Sequence, residues 1–181
     1  MTKPNALREL STAVLIQRLD SPNVEEVRDA VGELGDRRSR EAAPRLRALL
    51  IETIDARLRN RCAYALAMLR DEEAFLLLVQ LVQRPDLMSS SGTLVWALTK
   101  FDCTRIAPTL INSIVYGSYE AGLWAHQALE ELEARIAADD RRACIEIIRR
   151  ALADPDTLPE RDRKDRIAML KELADDRGSR R

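Results

Sequence analysis

The sequence is poor in the residues that build metal sites, disulfides and active sites. Its 181 residues include one histidine, three cysteines and six glycines, and aromatic residues make up only 4%. The single histidine, His126, excludes a metal site built from several histidines. Cys62, Cys103 and Cys144 lie far apart without a C-x-x-C pair, so we expect buried, reduced thiols. We therefore predict neither a metal ion nor any other cofactor.

Other sequence signals of catalysis are missing as well. The chain contains no glycine-rich phosphate loop and no nucleophile elbow. His126 belongs to a helical pattern that recurs along the chain, and it occupies a position where a small, packed alanine is expected. We therefore expect a partly buried imidazole ring rather than a general base. The acidic pairs at 139–140 and 175–176 lie at helix ends, where solvated acids are common. We predict that the chain has no catalytic residues and is not an enzyme.

The charge balance gives no general attraction for polyanions. Lysine and arginine number 29 against 30 acids, for a net charge of −1. No uninterrupted apolar run approaches the length of a membrane span, and the first ten residues have no apolar core of signal-peptide length. We therefore expect a cytoplasmic protein that binds neither nucleic acid nor membranes.

What the sequence does contain is a repeated helical pattern, seen best in the stretch 58–71. Its apolar residues recur at spacings of three and four, which places them on one face of a helix. They are Leu58, Cys62, Ala65, Leu66 and Leu69. Because several of these side chains are small, we expect another helix to approach this face closely.

The same pattern recurs along the chain at a nearly constant interval. Each copy has a marker alanine, followed by an apolar residue. The marker alanines are Ala30, Ala65, Ala97 and Ala128. Intervals of 35, 32 and 31 residues are typical of stacked helical repeats. They predict one domain over residues 1–181, with helical hairpins at about 5–35, 40–70, 72–101, 104–135 and 139–174 and a flexible tail at 175–181.

These repeats resemble the HEAT-like repeat family, of the short type that is also seen in phycobilin lyases. The second repeat matches the family pattern at Leu58, Arg59, Cys62, Ala63, Ala65, Leu66, Leu69 and Asp71, and the first at Ala30, Val31, Gly32, Leu34, Gly35 and Asp36. The resemblance covers about residues 22–135. It implies an all-α fold, a right-handed α-solenoid of about five helical hairpins, and says little about function, because this scaffold serves many unrelated roles.

The first hairpin is predicted from its end signals. Asn5 is placed to cap a first helix that runs to about Leu19. Its inward-facing residues are predicted to be Leu7, Leu10, Val14 and Leu15.

The repeat register predicts a binding face. In the family that the chain resembles, the second helix of each repeat lines the concave side. The residue before each marker alanine then points away from the core, as do the residues four positions earlier and four positions later. The predicted partner-binding residues on this face are Glu25, Asp29, Glu33, Asn60, Tyr64, Met68, Trp96, Lys100, Gln127 and Glu131. Tyr64 and Trp96 are predicted to lie side by side and outward, while Trp124 is predicted to pack between repeats.

The first repeat carries a row of acids on this face. Glu25, Asp29 and Glu33 follow one another at intervals of four, with Glu26 beside them and no basic residue between them in the row. One interpretation is a surface for a basic partner. The other is a solvated helix whose first acids favour its N-terminus.

The preferred hypothesis is a non-enzymatic protein-binding module that uses the concave face. A narrower hypothesis, by analogy with small bacterial repeat proteins, is an immunity protein that binds and neutralises a cognate, basic toxin. Two alternatives remain open. One is a HEAT-like enzyme or enzyme subunit, similar to DNA glycosylases or phycobilin lyases, and the other is a passive scaffold or adaptor.

Overall fold

All regular elements that the structure describes are helices. The structure is a computed structural model that describes residues 7–178, apart from the side chains at 133 and 176–178. Within that range there is no strand, so the predicted all-α class is confirmed. None of the helices found there combines the length and the apolar character that crossing a bilayer requires.

The chain divides into two compact units, Met1–Leu78 and Val79–Arg181. Helices in the first unit are α1 (Thr12–Arg18), α2 (Val24–Asp36), α3 (Ala43–Glu52) and α4 (Ala56–Leu69). Helix α5 (Glu72–Val82) contains the boundary. Helices in the second unit are α6 (Gly92–Leu98), α7 (Ala107–Tyr116), α8 (Tyr119–Leu132), α9 (Ala138–Ala153) and α10 (Arg163–Gly178). The expectation of a single domain stays a prediction.

Within each unit the helices stack in the manner of a repeat array. In the first unit α2 packs against α4, while α1 and α3 pack against α2 and α4 respectively. In the second unit α6 and α10 both pack against α8, and α7 packs against α9. Within a unit, the second helix of one hairpin therefore contacts the second helix of the next. This contact buries apolar faces that no single hairpin could bury alone.

The marker alanines lie in the core of both units. Ala30, Ala65 and Ala97 are fully buried, and Ala128 is nearly so. Helices α2 and α4 approach each other closely at Gly35, where an added Cβ would lie 2.9 Å from the Ala65 Cβ. The small residues of the repeat thus set the distance between α2 and α4.

Helix starts follow from local hydrogen bonding. The Asn23 Oδ1 accepts a hydrogen bond from the Glu25 N–H, and the Asp55 Oδ1 accepts one from the Leu58 N–H. Both side chains satisfy amide groups that the first turn leaves without a partner. Pro44 lies in the first turn of α3, where its missing N–H costs no helical hydrogen bond.

The first helix differs from the prediction. Asn5, the predicted cap, lies outside the described residues, but the chain leaves the helical conformation before Ser11 and α1 begins at Thr12. The Ser11 Oγ accepts a hydrogen bond from the Val14 N–H, so a new N-cap forms inside the predicted helix. Leu7 and Leu15 are buried as predicted, whereas Val14 is exposed.

The C-terminal end also differs. Helix α10 continues to Gly178, past the predicted start of a flexible tail at Asp175. Residues 179–181 of that predicted tail lie outside the described residues. Leu170 and Leu173 are buried against the rest of the second unit and anchor this helix.

All three cysteines are buried, and none of them forms a disulfide. Burial raises the pKa of the Cys62 thiol to about 12, although the positive charge of Arg45 partly offsets that rise. Burial also raises the pKa of the Cys103 thiol to about 12, and the negative charge of Asp102 adds to the effect. The Cys103 Sγ donates a hydrogen bond to the Leu98 carbonyl at 3.0 Å.

We expect the native thiols to be unreactive. A thiol must ionise and be accessible in order to attack a disulfide reagent, and Cys62, Cys103 and Cys144 are buried. In a thiol–disulfide colorimetric assay at about pH 8, the folded protein should show no rapid reaction, and the protein in denaturant should show all three thiols. Rapid release of one equivalent by the folded protein would contradict the burial of at least one cysteine.

Candidate functional site

The predicted outward positions differ in how far they reach solvent. Glu25, Gln127 and Glu131 are exposed, and Tyr64 is 38% exposed. The remaining predicted residues are half-buried, namely Asp29, Glu33, Asn60, Met68, Trp96 and Lys100. The structure divides these ten residues between the two units, so the side-by-side placement of Tyr64 and Trp96 stays a prediction.

In the first unit, three of the predicted residues line one groove. This α2–α4 groove has a volume of about 750 Å³. Its lining residues are Leu7, Arg8, Asn23, Glu25, Glu26, Arg28, Asp29, Gly32, Glu33, Asp36, Arg57 and Arg61. A volume of this size falls within the range that binding pockets occupy in proteins.

The acidic row on α2 is interrupted by basic side chains, contrary to the sequence-based interpretation. The Arg28 Nη2 lies 2.9 Å from the Glu25 Oε1, and the Arg37 Nε lies 2.8 Å from the Glu33 Oε1. These arginines stand three and four residues away from their acids, a spacing that brings side chains together on a helix. The row therefore presents less negative charge than its acids alone suggest.

Several charged side chains of both signs line the α2–α4 groove without an ion pair or side-chain hydrogen bond in the described part of the chain. They include Asp29 on α2 and both Arg57 and Arg61 on α4. The Arg61 guanidinium lies over Gly32, whose added Cβ would meet the Arg61 Cζ at 3.1 Å. The glycine leaves room for that group, and the groove offers both charge signs to a ligand.

Helix α4 carries the other predicted residues of the first unit. Tyr64 points outward one residue before the buried Ala65, as the register predicts. Asn60 behaves differently, because its Oδ1 is shielded from solvent and has no hydrogen-bond partner among the described residues. The face around Tyr64 is thus more enclosed on the Asn60 side than the sequence suggested.

In the second unit, the predicted residues gather around two tryptophans. The Lys100 Nζ lies 4.7 Å from the centroid of the Trp96 ring, a cation–π contact. Lys100, Gln127 and Glu131 line a cavity of about 260 Å³ together with Trp124. Trp124 is exposed rather than packed between repeats, so that prediction was wrong. Trp124 lies at the edge of the apolar arc of α8. A small rotation of the helix therefore decides whether this side chain is buried or exposed.

One cluster was missed by sequence reasoning. His126 and Glu130 lie one turn apart on α8, and Glu172 on α10 approaches the same imidazole. The spacing of His126 and Glu130 was visible in the sequence. Glu172 was not, because only the packing of α10 on α8 brings it there.

Comparison with known proteins supports the repeat assignment over part of the chain. A family model described as HEAT repeats matches residues 12–88. This stretch includes both helices that form the α2–α4 groove. This stretch is therefore HEAT-like, whereas no match distinguishes the phycobilin-lyase type. No curated protein and no solved structure matches the chain.

Proposed function

Because residues 12–88 are HEAT-like repeats, and such repeats commonly mediate contacts between proteins, we propose that this chain is a non-enzymatic protein-binding module. Its binding face is the one formed by the second helices of the repeats, with the α2–α4 groove as the main contact region. Within the first unit Tyr64 extends this face along α4, and the second unit contributes contact residues of its own, the Trp96–Lys100 pair.

The observation that carries this proposal is the set of unpaired charges in the groove. Asp29, Arg57 and Arg61 line about 750 Å³ of open volume, and none of the three side chains makes an ion pair or hydrogen bond with another described side chain. Charged groups held in a groove favour complementary charges on a partner and raise the rate of encounter. Because the groove offers both signs, the partner segment should carry both acidic and basic residues.

Aromatic side chains support the same face. Tyrosine and tryptophan are enriched among residues that dominate binding energy, because they combine large rigid area with a polar edge. Tyr64 is outward on α4, and Trp96 is held by the Lys100 ammonium group in the second unit. Both aromatic side chains reach the surface of their helices, so a partner can contact them without a change in the fold.

A narrower proposal concerns the identity of the partner. We propose that it is a basic protein, such as a secreted bacterial toxin that this chain neutralises in the cytoplasm as an immunity protein. The support is the row of Glu25, Asp29 and Glu33 on the binding face. The pairing of Glu25 with Arg28 and of Glu33 with Arg37 weakens that support, which leaves Asp29 as the free acid of the row.

The test is capture of the partner with matched variants. Tagged wild-type protein, a Tyr64→Ala/Trp96→Ala variant, an Asp29→Lys variant and an Arg149→Glu control are incubated with native lysate after nuclease treatment. Arg149 is an exposed residue of α9, the first helix of the last hairpin. We expect wild type and control to retain the same stoichiometric protein and both face variants to lose it, at a cost of at least about 2 kcal/mol in the purified complex.

The outcomes separate the candidate functions. Melting curves of the variants first show whether each one folds. Equal capture by all four proteins would contradict binding through this face. A captured basic toxin would support the immunity proposal, whereas a captured acidic protein would contradict that proposal. Retention of nucleic acid before nuclease treatment, or of a pigment, would instead favour the enzyme class.

A further inference from the structure

The second unit contains three metal-ligating side chains that the proposed binding face does not use. They are His126 and Glu130 on α8 and Glu172 on α10. One potential ligand atom from each residue lies within 4.8 Å of the other two. Both helices belong to the same compact unit and pack against each other.

The two nitrogens of the imidazole ring face different carboxylates. The His126 Nδ1 lies 3.6 Å from the Glu130 Oε2, and the His126 Nε2 lies 3.5 Å from the Glu172 Oε2. The His126 side chain is only 14% exposed. Packing therefore holds the ring between the two carboxylates.

The Nε2 atom is the unusual feature of this cluster. It is shielded from solvent and makes no hydrogen bond with any described residue of the chain. A buried polar atom without a partner is rare in proteins, and an ion or a water molecule is a common reason for one. Nε2 also lies 3.5 Å from the Glu172 Oε2, so it faces one of the two carboxylates.

The spacing suits a transition-metal ion. Two ligand atoms on a tetrahedral zinc ion, with bonds of about 2.1 Å, lie about 3.4 Å apart. The separation of 3.5 Å between the His126 Nε2 and the Glu172 Oε2 is close to that value. An ion between these atoms would need little rearrangement of either side chain.

The chemistry of the ligands narrows the choice of ion. An imidazole nitrogen with carboxylate oxygens suits zinc and similar transition metals, whereas magnesium and calcium prefer oxygen ligands alone. The Glu130 and Glu172 side chains are 47% and 57% exposed. They can therefore approach an ion from the solvent side, and water can occupy the fourth position.

We propose that His126, Glu130 and Glu172 form a binding site for a divalent transition-metal ion, with zinc as the best fit. The His126 Nε2 and the Glu172 carboxylate bind the ion directly. Glu130 lies against the other ring nitrogen, 3.6 Å from Nδ1, and its exposed side chain turns toward the ion to become the third ligand. The bound ion joins α10 to α8 and so stabilises the last hairpin of the chain.

The test uses zinc alone as the probe. Isothermal titration of the metal-free protein with Zn²⁺ should show one site, and zinc should raise the melting temperature because it binds only the folded form. His126→Gln and Glu172→Gln should each weaken binding at least about tenfold and abolish the rise. Glu120→Gln, which changes an exposed acid of α8 outside the cluster, should bind zinc as the wild type does. Mg²⁺ should bind more weakly than Zn²⁺.

Several results would overturn the proposal. One is the absence of a zinc site in the wild type. Another is a site of unchanged affinity in folded His126→Gln and Glu172→Gln proteins, which would place the ion elsewhere, such as on a cysteine. A third is a wild-type melting temperature that does not change when zinc is added.

Discussion

Replacing Arg166 with alanine should lower the free energy of unfolding by about 3 to 5 kcal/mol, the usual cost of removing one partner of a buried ion pair. Arg166 lies on α10 and is only 1% exposed. Its Nε and Nη2 donate to the two carboxylate oxygens of Asp162, at 2.7 and 2.8 Å. Removing the guanidinium would leave that carboxylate, itself little exposed, without its counter-ion.

Arg166 also completes the end of another helix. Its Nη1 donates to the Ile114 carbonyl and its Nη2 donates to the Gly117 carbonyl, both at the C-terminal end of α7. The last carbonyl groups of a helix have no partner within it. The Arg166 side chain on α10 therefore provides hydrogen-bond donors for two carbonyl groups at the end of α7. The alanine variant would lose these hydrogen bonds between the two helices as well as the ion pair.

Urea unfolding followed by circular dichroism measures this effect. Arg149→Ala is the matched control, because Arg149 is exposed on α9 and its loss should change stability by no more than about 0.5 kcal/mol. Arg166→Lys should fall between wild type and Arg166→Ala, since lysine keeps the charge but loses the planar fork that binds two acceptors. A change of less than about 1 kcal/mol in Arg166→Ala would contradict the structural role.

The same pair should make stability depend on pH. The hydrogen bond from Arg166 holds the pKa of Asp162 below its ordinary value, against the opposing effect of burial. A carboxyl with a lowered pKa in the folded state contributes stability above its unfolded pKa of about 3.9. That contribution is lost as pH falls through the folded pKa. The difference between wild type and Arg166→Ala should therefore shrink below about pH 4.

The helical register was predictable because burial follows the period of the helix. Ala30, Ala65 and Ala97 are fully buried, and the residue before Ala65, Tyr64, is outward. Both results need only the 3.6-residue repeat and a row of small residues. The first helix was predicted less well, because its start depends on one hydrogen bond at Ser11 that competes with a continuous helix.

The contacts that shape the candidate site were not predictable in the same way. The pairing of Glu33 with Arg37 was within reach, since the two residues stand one turn apart. Arg37 also donates to the Leu10 and Leu7 carbonyls, which depends on how the chain folds back from α2. Glu172 reaches His126 only through the packing of α10. Periodicity predicts which face of a helix is buried. It does not predict which neighbouring helix packs against that face.

The second large effect is expected at the contact between α2 and α4. Ala65 is fully buried, and at Gly35 an added Cβ would lie 2.9 Å from the Ala65 Cβ and 3.0 Å from its Cα. There is no space at this contact for a larger side chain. Ala65→Leu should therefore force the helices apart and lower the free energy of unfolding by about 1 to 3 kcal/mol.

A matched substitution on the same helix isolates the cause. Ala56 is exposed at the first residue of α4, so Ala56→Leu makes the same chemical change without a packing conflict and should be nearly neutral. Gly35→Ala should also destabilise, because the added Cβ would meet backbone as well as side-chain atoms of Ala65. Urea unfolding of the three variants gives the comparison, and a neutral Ala65→Leu would contradict the close contact between the helices.

The Ala65→Leu variant also connects this packing to the proposed function. The α2–α4 groove takes Asp29 from one helix and Arg57 and Arg61 from the other, so its width depends on the distance between the helices. A folded Ala65→Leu protein keeps every lining residue but holds α2 and α4 farther apart. If the groove is the contact region, this variant should bind the partner more weakly than Ala56→Leu does. Equal binding by the two folded variants would show that the groove geometry does not control recognition.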